Sequence, residues 1–166
     1  DYGTQFAIKK YTLHLGYIHT TREEAIVHII EVLKELATYA YPKNLMIENM
    51  PNDKHIGYSP DEILFIIDQV KASNIKFILD VGHAHVSPFD ILDYIRLLRP
   101  YLYHFHIHDN DGSGDQHARF GKGTIDFPRF LRELKDYQEY YCLEIIYKND
   151  QELIENAQAF DAFENL

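Results

Sequence analysis

Strand-like and helix-like stretches alternate five times along the chain of 166 residues, and this alternation restricts the possible folds more than any other feature. The predicted strands cover residues 11–14, 45–49, 75–81, 101–108 and 140–147. Successive strands that are separated by helices pair in parallel through right-handed crossovers. The pattern is therefore typical of an α/β domain, either an open doubly wound sheet or a TIM (β/α)8-type barrel.

Helix-start signals follow the predicted strands. Thr20 and Thr21 precede Glu23 and Glu24 in capping-box spacing, ahead of an amphipathic stretch. Ser59 and Glu62 repeat that spacing after the second strand. The remaining predictions are a loop over 82–86, a helix from Ser87, and helices near 126–136 and 151–160. The first ten residues carry no cap or start signal.

One side chain of a metal-ligand type stands at or near the end of each predicted strand: His14, Glu48, Asp80, His106 and Glu144. A barrel gathers the carboxyl ends of its strands at the face where the active sites of such barrels lie, whereas an open sheet spreads them apart. We therefore predict an incomplete TIM barrel with about five βα units, forming a single domain over residues 1–166. A typical barrel has ~250 residues, so about three units are expected before Asp1 or from a partner chain, such as a second copy.

The stretch from 101 to 127 contains the densest group of histidine and aspartate residues. Period-two alternation puts Tyr103, Phe105 and Ile107 on one face of the strand and three histidines, His104, His106 and His108, on the other. Imidazoles and carboxylates together suit a divalent transition metal. The predicted ligands are His14, Glu48, Asp80, His83, His106, Asp115, His117 and Glu144. They are too many for one tetrahedral ion, so we expect one to three Zn²⁺ or Mn²⁺ ions or spare acid-base groups.

Several neighbouring residues are assigned lesser roles. Arg119 and Lys122, in the loop over the strand ends, are candidates for holding a phosphate or sugar hydroxyls, although a solvated loop charge is an equally good interpretation. His85 and His104 are candidates for orienting the metal ligands. Cys142 alternates with Glu144 and is predicted to line the barrel interior. His108 and Asp109 fit either a supporting role at the site or a structural one.

The amino-acid composition limits the classes of partner that the chain is expected to bind. The chain has 16 Lys and Arg residues against 26 Asp and Glu residues, a net charge of -10 that disfavours broad binding to nucleic acid or to an anionic membrane. No apolar run approaches the ~20 residues that a membrane span needs. A single cysteine excludes an intramolecular disulfide framework and predicts a reducing, cytoplasmic location.

These strand ends resemble those of the xylose isomerase-like TIM-barrel superfamily, which joins sugar phosphate isomerases and epimerases to the endonuclease IV family. The segment from His14 to Gly16 is similar to the family's His-Pro-Gly strand end, with Leu15 in place of proline. The other matches are Glu48 and Asn49 for Glu-Asn, Asp80 and His83 for Asp-x-x-His, His106 for the strand histidine, Asp115 and His117 for Asp-x-His, Gly121 and Gly123 for Gly-x-Gly, and Glu144 for the last-strand glutamate. One further histidine that endonuclease IV takes from an earlier strand has no match.

The resemblance implies two enzyme classes. In the isomerase and epimerase branch, one divalent ion is held by Glu48, Asp80, His106 and Glu144, and the two glutamates also move protons next to a metal-bound carbonyl of a sugar or sugar phosphate. In the endonuclease IV branch, a multinuclear site that adds His83, Asp115 and His117 hydrolyses a phosphodiester. The segment HIHDNDG at 106–112 is common in predicted sugar phosphate isomerases of the superfamily and favours sugar chemistry, with His83 also binding substrate. A third hypothesis is a non-catalytic metal-binding half-barrel.

Overall fold

A computed structural model describes residues 6–137 and 140–164 of the chain. Its centre is one parallel sheet of five strands, paired in chain order from β1 to β5. The strands are β1 Lys10–Leu13, β2 Asn44–Glu48, β3 Ile75–Asp80, β4 Leu102–Ile107 and β5 Tyr141–Leu143. The sheet curls into a half-barrel with helices on its outer side, which confirms the predicted incomplete TIM-type barrel.

The helices follow the strands and pack on the outer face of the sheet. They are α1 Arg22–Ala40, α2 Pro60–Val70, α3 Val81–Val86, α4 Ile91–Leu98, α5 Phe127–Leu131 and α6 Asp150–Glu164, with a 3-10 turn at Arg132–Leu134. Thr21 caps α1 through the predicted capping box with Glu24. None of the helices within the described ranges combines the length and the apolar character that a membrane span needs.

The core lies between the outer face of the sheet and these helices. Phe77 and Leu79 of β3 and Phe105 of β4 are fully buried there, against Ile66 of α2 and Tyr94 of α4. The alternate residues of the same strands point to the inner face, as the period-two pattern predicts. Packing and chemistry are therefore carried by opposite faces of the same strands.

Four predictions of local structure are wrong. Residues 82–86 lie in helix α3, because the side chain of Asp80 accepts a hydrogen bond from the His83 amide and caps a short helix there. The predicted helix from Ser87 accordingly starts later, with Asp90 as its cap. The last strand is shorter than predicted, at Tyr141–Leu143. Glu62 does not complete a capping box, because its carboxylate accepts hydrogen bonds from the Gly57 amide and the Arg22 guanidinium. Residues 1–5, part of the segment without a start signal, lie outside the described residues.

Candidate metal centre

Four predicted ligands meet at the carboxyl ends of the strands and form what we call the carboxylate cluster: Glu48, Asp80, His106 and Glu144. Glu48 and Asp80 end β2 and β3, and Asp80 pairs in register with His106 of β4. His106 Nδ1 lies 3.3 Å from Glu48 Oε1 and 3.1 Å from Glu144 Oε1. One ligand atom from each of the four residues lies within 4.8 Å of the others. The predicted convergence of successive strand ends is confirmed.

The carboxylate cluster has the donor pattern of a cation site. His106 Nδ1 and Asp80 Oδ2 are both buried, and neither makes a hydrogen bond within residues 6–137 and 140–164. Nearly all buried polar atoms in proteins have a hydrogen-bond partner, so such atoms within a group of ligand-type side chains indicate a place for a bound ion. Three carboxylates and one imidazole fit a divalent metal ion such as Mn²⁺ or Zn²⁺.

Neighbouring histidines determine the charge of Glu48. Burial opposes ionisation of this carboxyl, but contacts with His106 and a 3.0 Å hydrogen bond from His14 Nε2 outweigh burial and lower its pKa to about 2. Burial likewise opposes a charge on His106, but the adjacent Glu48 carboxylate raises its pKa. His14, whose side chain is 58% exposed, thus contacts Glu48 from outside the carboxylate cluster.

The second group of predicted ligands lies beside the first, and we call it the histidine cluster: His83, His108, Asp115 and His117. Asp115 stands at its centre, with Oδ2 3.2 Å from His83 Nε2 and Oδ1 3.3 Å from His117 Nε2. Burial lowers the tendency of His83 to hold a proton, but its contacts with Asp115 and Asp80 raise its pKa to about 9. In the metal-free protein a proton on His83 therefore balances the carboxylates.

Backbone carbonyls orient two of these imidazoles. His83 Nδ1 donates to the carbonyl oxygen of Asn49 at 2.9 Å, and His117 Nδ1 donates to that of Glu144 at 2.6 Å. A carbonyl oxygen only accepts hydrogen bonds, so each Nδ1 carries a proton and Nε2 is the atom that faces Asp115. Fixing the ring in this way is the usual support for a metal-binding histidine.

His108 is a cluster member that the sequence pattern did not identify. Its Nε2 lies 3.1 Å from Asp80 Oδ1 and 3.5 Å from Asp115 Oδ1, so it joins the two clusters. Both of its ring nitrogens are buried, and neither has a hydrogen-bond partner among the described residues. The sequence feature that could have identified His108 is its position two residues after His106, which continues the inward face of the strand. The strand itself ends one residue earlier, at Ile107.

Asn49 and Asp109 hold the site together without belonging to either cluster. The side chain of Asn49 accepts a hydrogen bond from the Asp80 amide at 2.8 Å and donates to the Asp80 carbonyl at 2.9 Å. Asp109 is buried and accepts hydrogen bonds from the amides of Asn110 and Gly123, which folds the long loop after β4 back onto the strand end. The sequence left the role of Asp109 open, because its position fits either a supporting residue of the site or a structural one.

A cavity of about 410 Å³ opens over both clusters. Its polar wall consists of His14, Glu48, His83, Asp115, His117 and Glu144. Its lining also includes Tyr17, Met50 and Pro51. Tyr17 is 62% exposed and packs against the ring of His55 at a centroid distance of 4.1 Å. The cavity is therefore lined both by side chains of metal-ligand types and by the exposed ring of Tyr17.

Comparison with known proteins identifies this arrangement. Residues 1–163 match the family described as xylose isomerase-like TIM barrel. The chain belongs to this family. A crystal structure of a D-tagatose 3-epimerase-like protein superposes on this xylose isomerase-like barrel with a TM-score of 0.86 at 23% identity, covering 97% of this chain and 64% of the other.

Sequence relatives of the xylose isomerase-like barrel include two uncharacterized proteins of Methanocaldococcus jannaschii. One is 27% identical over 155 residues, which are 88% of this chain and 53% of the relative. The other is 31% identical over 150 residues, which are 87% of this chain and 57% of the relative. The chain thus spans little more than half the length of these relatives.

Three predicted residues of this xylose isomerase-like barrel, Arg119, Lys122 and His85, have surroundings other than those expected. Arg119 pairs with Glu152 at 3.4 Å, and Arg119 and Lys122 line a separate cavity beside α6, so their role in substrate binding stays a prediction. His85 Nε2 lies 2.9 Å from Thr124 Oγ1, so the structure gives no support to its orienting a ligand. Cys142 lies on the inner face as predicted, because it pairs in register with the inward-facing His106, and its side chain is exposed there.

Proposed function

We propose that the protein is a divalent-metal-dependent isomerase or epimerase of a sugar or sugar phosphate, which moves a proton at the carbon next to the sugar carbonyl. Membership in the xylose isomerase-like family supports sugar chemistry, as does the likeness of fold to a D-tagatose 3-epimerase-like protein. The observation that carries the proposal is the arrangement of Glu48 and Glu144, which reach the same nitrogen of His106 from different strands.

The two glutamates have different access to solvent, which suits them to different roles. The Glu48 side chain is 1% exposed, whereas that of Glu144 is 34% exposed. Glu48 remains ionised at neutral pH because its pKa is about 2, so it can serve as an anionic ligand. Glu144 lies where a proton can exchange with water. Two carboxylates on different sides of one carbon can remove a proton from one face and return it to the other.

Glu48, Asp80, His106 and Glu144 would hold the ion, which when bound would polarise the carbonyl and the adjacent hydroxyl of the sugar and so acidify the C–H between them. Asp80 is fixed for this role by the side chain of Asn49. The cavity of about 410 Å³ falls in the usual range for small-molecule sites. The exposed ring of Tyr17 at its rim is suited to contact the apolar face of a sugar.

The histidine cluster favours a second candidate function, hydrolysis of a phosphodiester in the manner of the endonuclease IV family. His83, His108, Asp115 and His117 bring three imidazoles and a carboxylate within 4.8 Å, which suits an additional Zn²⁺. A multinuclear centre would activate water and stabilise the charge on a phosphate. The net charge of -10 argues against nucleic acid as its substrate.

Isotope exchange separates the candidates. The purified protein is loaded with Mn²⁺ or Zn²⁺ and incubated in deuterated water with a panel of ketoses and ketose phosphates. We expect deuterium at the carbon next to the carbonyl of at least one of them, and no exchange after chelation. Cleavage of a phosphodiester such as abasic DNA, without exchange on any sugar, would instead support the hydrolase. Absence of both activities in the metal-loaded protein would support the non-catalytic half-barrel.

A further inference from the structure

We infer that the inner face of β4 and β5 carries a further, softer metal position, formed by His104, His106 and Cys142, which we call the cysteine cluster. One ligand atom from each of the three residues lies within 4.8 Å of the other two. An ion bound there competes with the carboxylate cluster for His106. This second statement rests on the proposed function, since it assumes that the carboxylate cluster binds a metal ion.

Regular strand geometry, not a loop, brings the three side chains together. His106 and Cys142 are register partners in adjacent parallel strands, so their side chains stand side by side on one face of the sheet. His104 precedes His106 by one full pleat on the same face, and their rings lie 5.9 Å apart at 87°. The ligand positions are therefore set by the pairing of β4 with β5.

The donor set distinguishes the cysteine cluster from the carboxylate cluster. A thiolate and two imidazoles select soft or borderline ions such as Zn²⁺, Cd²⁺ and copper, whereas carboxylates also suit Mn²⁺ and Mg²⁺. Cys142 is exposed, so its thiol is accessible to such ions in solution. Two neighbouring positions on one sheet thus differ in the class of ion that they prefer.

His106 couples the two positions because it belongs to both groups. A neutral imidazole has one lone pair and therefore serves one ion at a time. An ion held by His104 and Cys142 that takes this lone pair removes the single nitrogen donor of the carboxylate cluster. A thiophilic ion in the cysteine cluster therefore weakens Mn²⁺ binding above it and inhibits an enzyme that depends on that ion.

A Cd²⁺ titration of the purified protein tests the cysteine cluster, because a Cd–thiolate bond gives charge-transfer absorption in the ultraviolet. We expect a saturable band at one Cd²⁺ per chain. His104→Gln is expected to weaken Cd²⁺ binding by at least ~10-fold, since loss of even an indirect supporting residue changes metal affinity by about 10–100-fold. Asp80→Asn, which removes a ligand only from the carboxylate cluster, is the matched control and should keep the band and its affinity. Circular dichroism establishes that both variants are folded.

Competition is measured separately by the paramagnetic resonance signal of free Mn²⁺. Cd²⁺ should release Mn²⁺ from the wild-type protein at the concentration that saturates the band, and should release less from Cys142→Ser. A folded His104→Gln variant with wild-type Cd²⁺ affinity would show a lone surface thiol and overturn the cysteine cluster. A saturated band with unchanged Mn²⁺ binding would overturn the sharing of His106. Neither readout uses turnover, so an inactive protein would contradict only the proposed function.

Discussion

The imidazole of His108 fills the space beside the backbone of Gly82, where a β-carbon at position 82 would overlap the ring. His108 is itself fully buried and stacks on His117 at a centroid distance of 4.0 Å. Because the ring has no room to move away, the residue directly before His83 must lack a side chain. The glycine in this segment is therefore a requirement of the histidine cluster.

Gly82→Ala is expected to destabilise the protein by about 1–3 kcal/mol, the usual effect of overpacking a closely packed interior. Urea unfolding of the metal-free protein measures this loss. Gly114→Ala is the matched control, since nothing lies within 4 Å of a β-carbon at that position. Equal midpoints for the two variants would show that His108 does not occupy this place in solution.

Asp80→Ala and His106→Ala are each expected to remove metal from the carboxylate cluster while leaving the fold intact. Packing of these strands depends on their outer faces, where Phe77 and Phe105 are fully buried. Elemental analysis after dialysis gives the metal content, and circular dichroism gives the fold. A variant that keeps full metal occupancy would exclude the substituted residue as a ligand.

The stability of the metal-free protein should vary with pH in a defined way. The folded pKa of His83, about 9, lies above its ordinary value of 6.5, so its contribution is complete below pH 6.5 and is lost as the pH rises through 9. The folded pKa of Glu48, about 2, lies below its ordinary value of 4.5, so its contribution is complete above pH 4.5 and is lost as the pH falls towards 2. Stability should therefore be greatest between pH 4.5 and 6.5.

Urea midpoints measured with a chelator across this pH range check the prediction. His83→Gln should reduce the alkaline decline, because the raised pKa of His83 is lost with the imidazole. If the stability of His83→Gln falls at high pH as steeply as that of the wild-type protein, another titrating group causes the alkaline decline.

Strand positions could be predicted from the sequence because alternation and strand order together determine where side chains point. These two features were enough to predict four of the site residues, because each lies at or next to the end of a regular strand: Glu48, Asp80, His106 and Glu144. The alternation of side chains along strands does not predict the conformation of the loops between them. For that reason the sequence allowed two interpretations of Arg119, a substrate contact and a solvated loop charge, and did not predict that its guanidinium pairs with Glu152 of α6.

The roles of residues that depend on backbone contacts could not be predicted from the sequence either. Asn49 was recognised as part of a Glu-Asn strand end, but its two hydrogen bonds to the Asp80 backbone depend on the register of β2 and β3. His108 lies beyond the end of β4, so its inward direction depends on the loop that Asp109 folds back. Pairings between elements far apart in the chain decide both cases.

The central claim is that Glu144 transfers a proton at a metal-dependent site, and solvent-deuterium exchange by Glu144→Gln tests it most directly. Glutamine keeps an oxygen that can bind metal but cannot act as a base, so we predict that the variant retains its metal ion and loses exchange on a sugar that the wild-type protein labels. Metal content and exchange are measured on the same sample. Wild-type exchange in a metal-loaded Glu144→Gln variant would contradict the account.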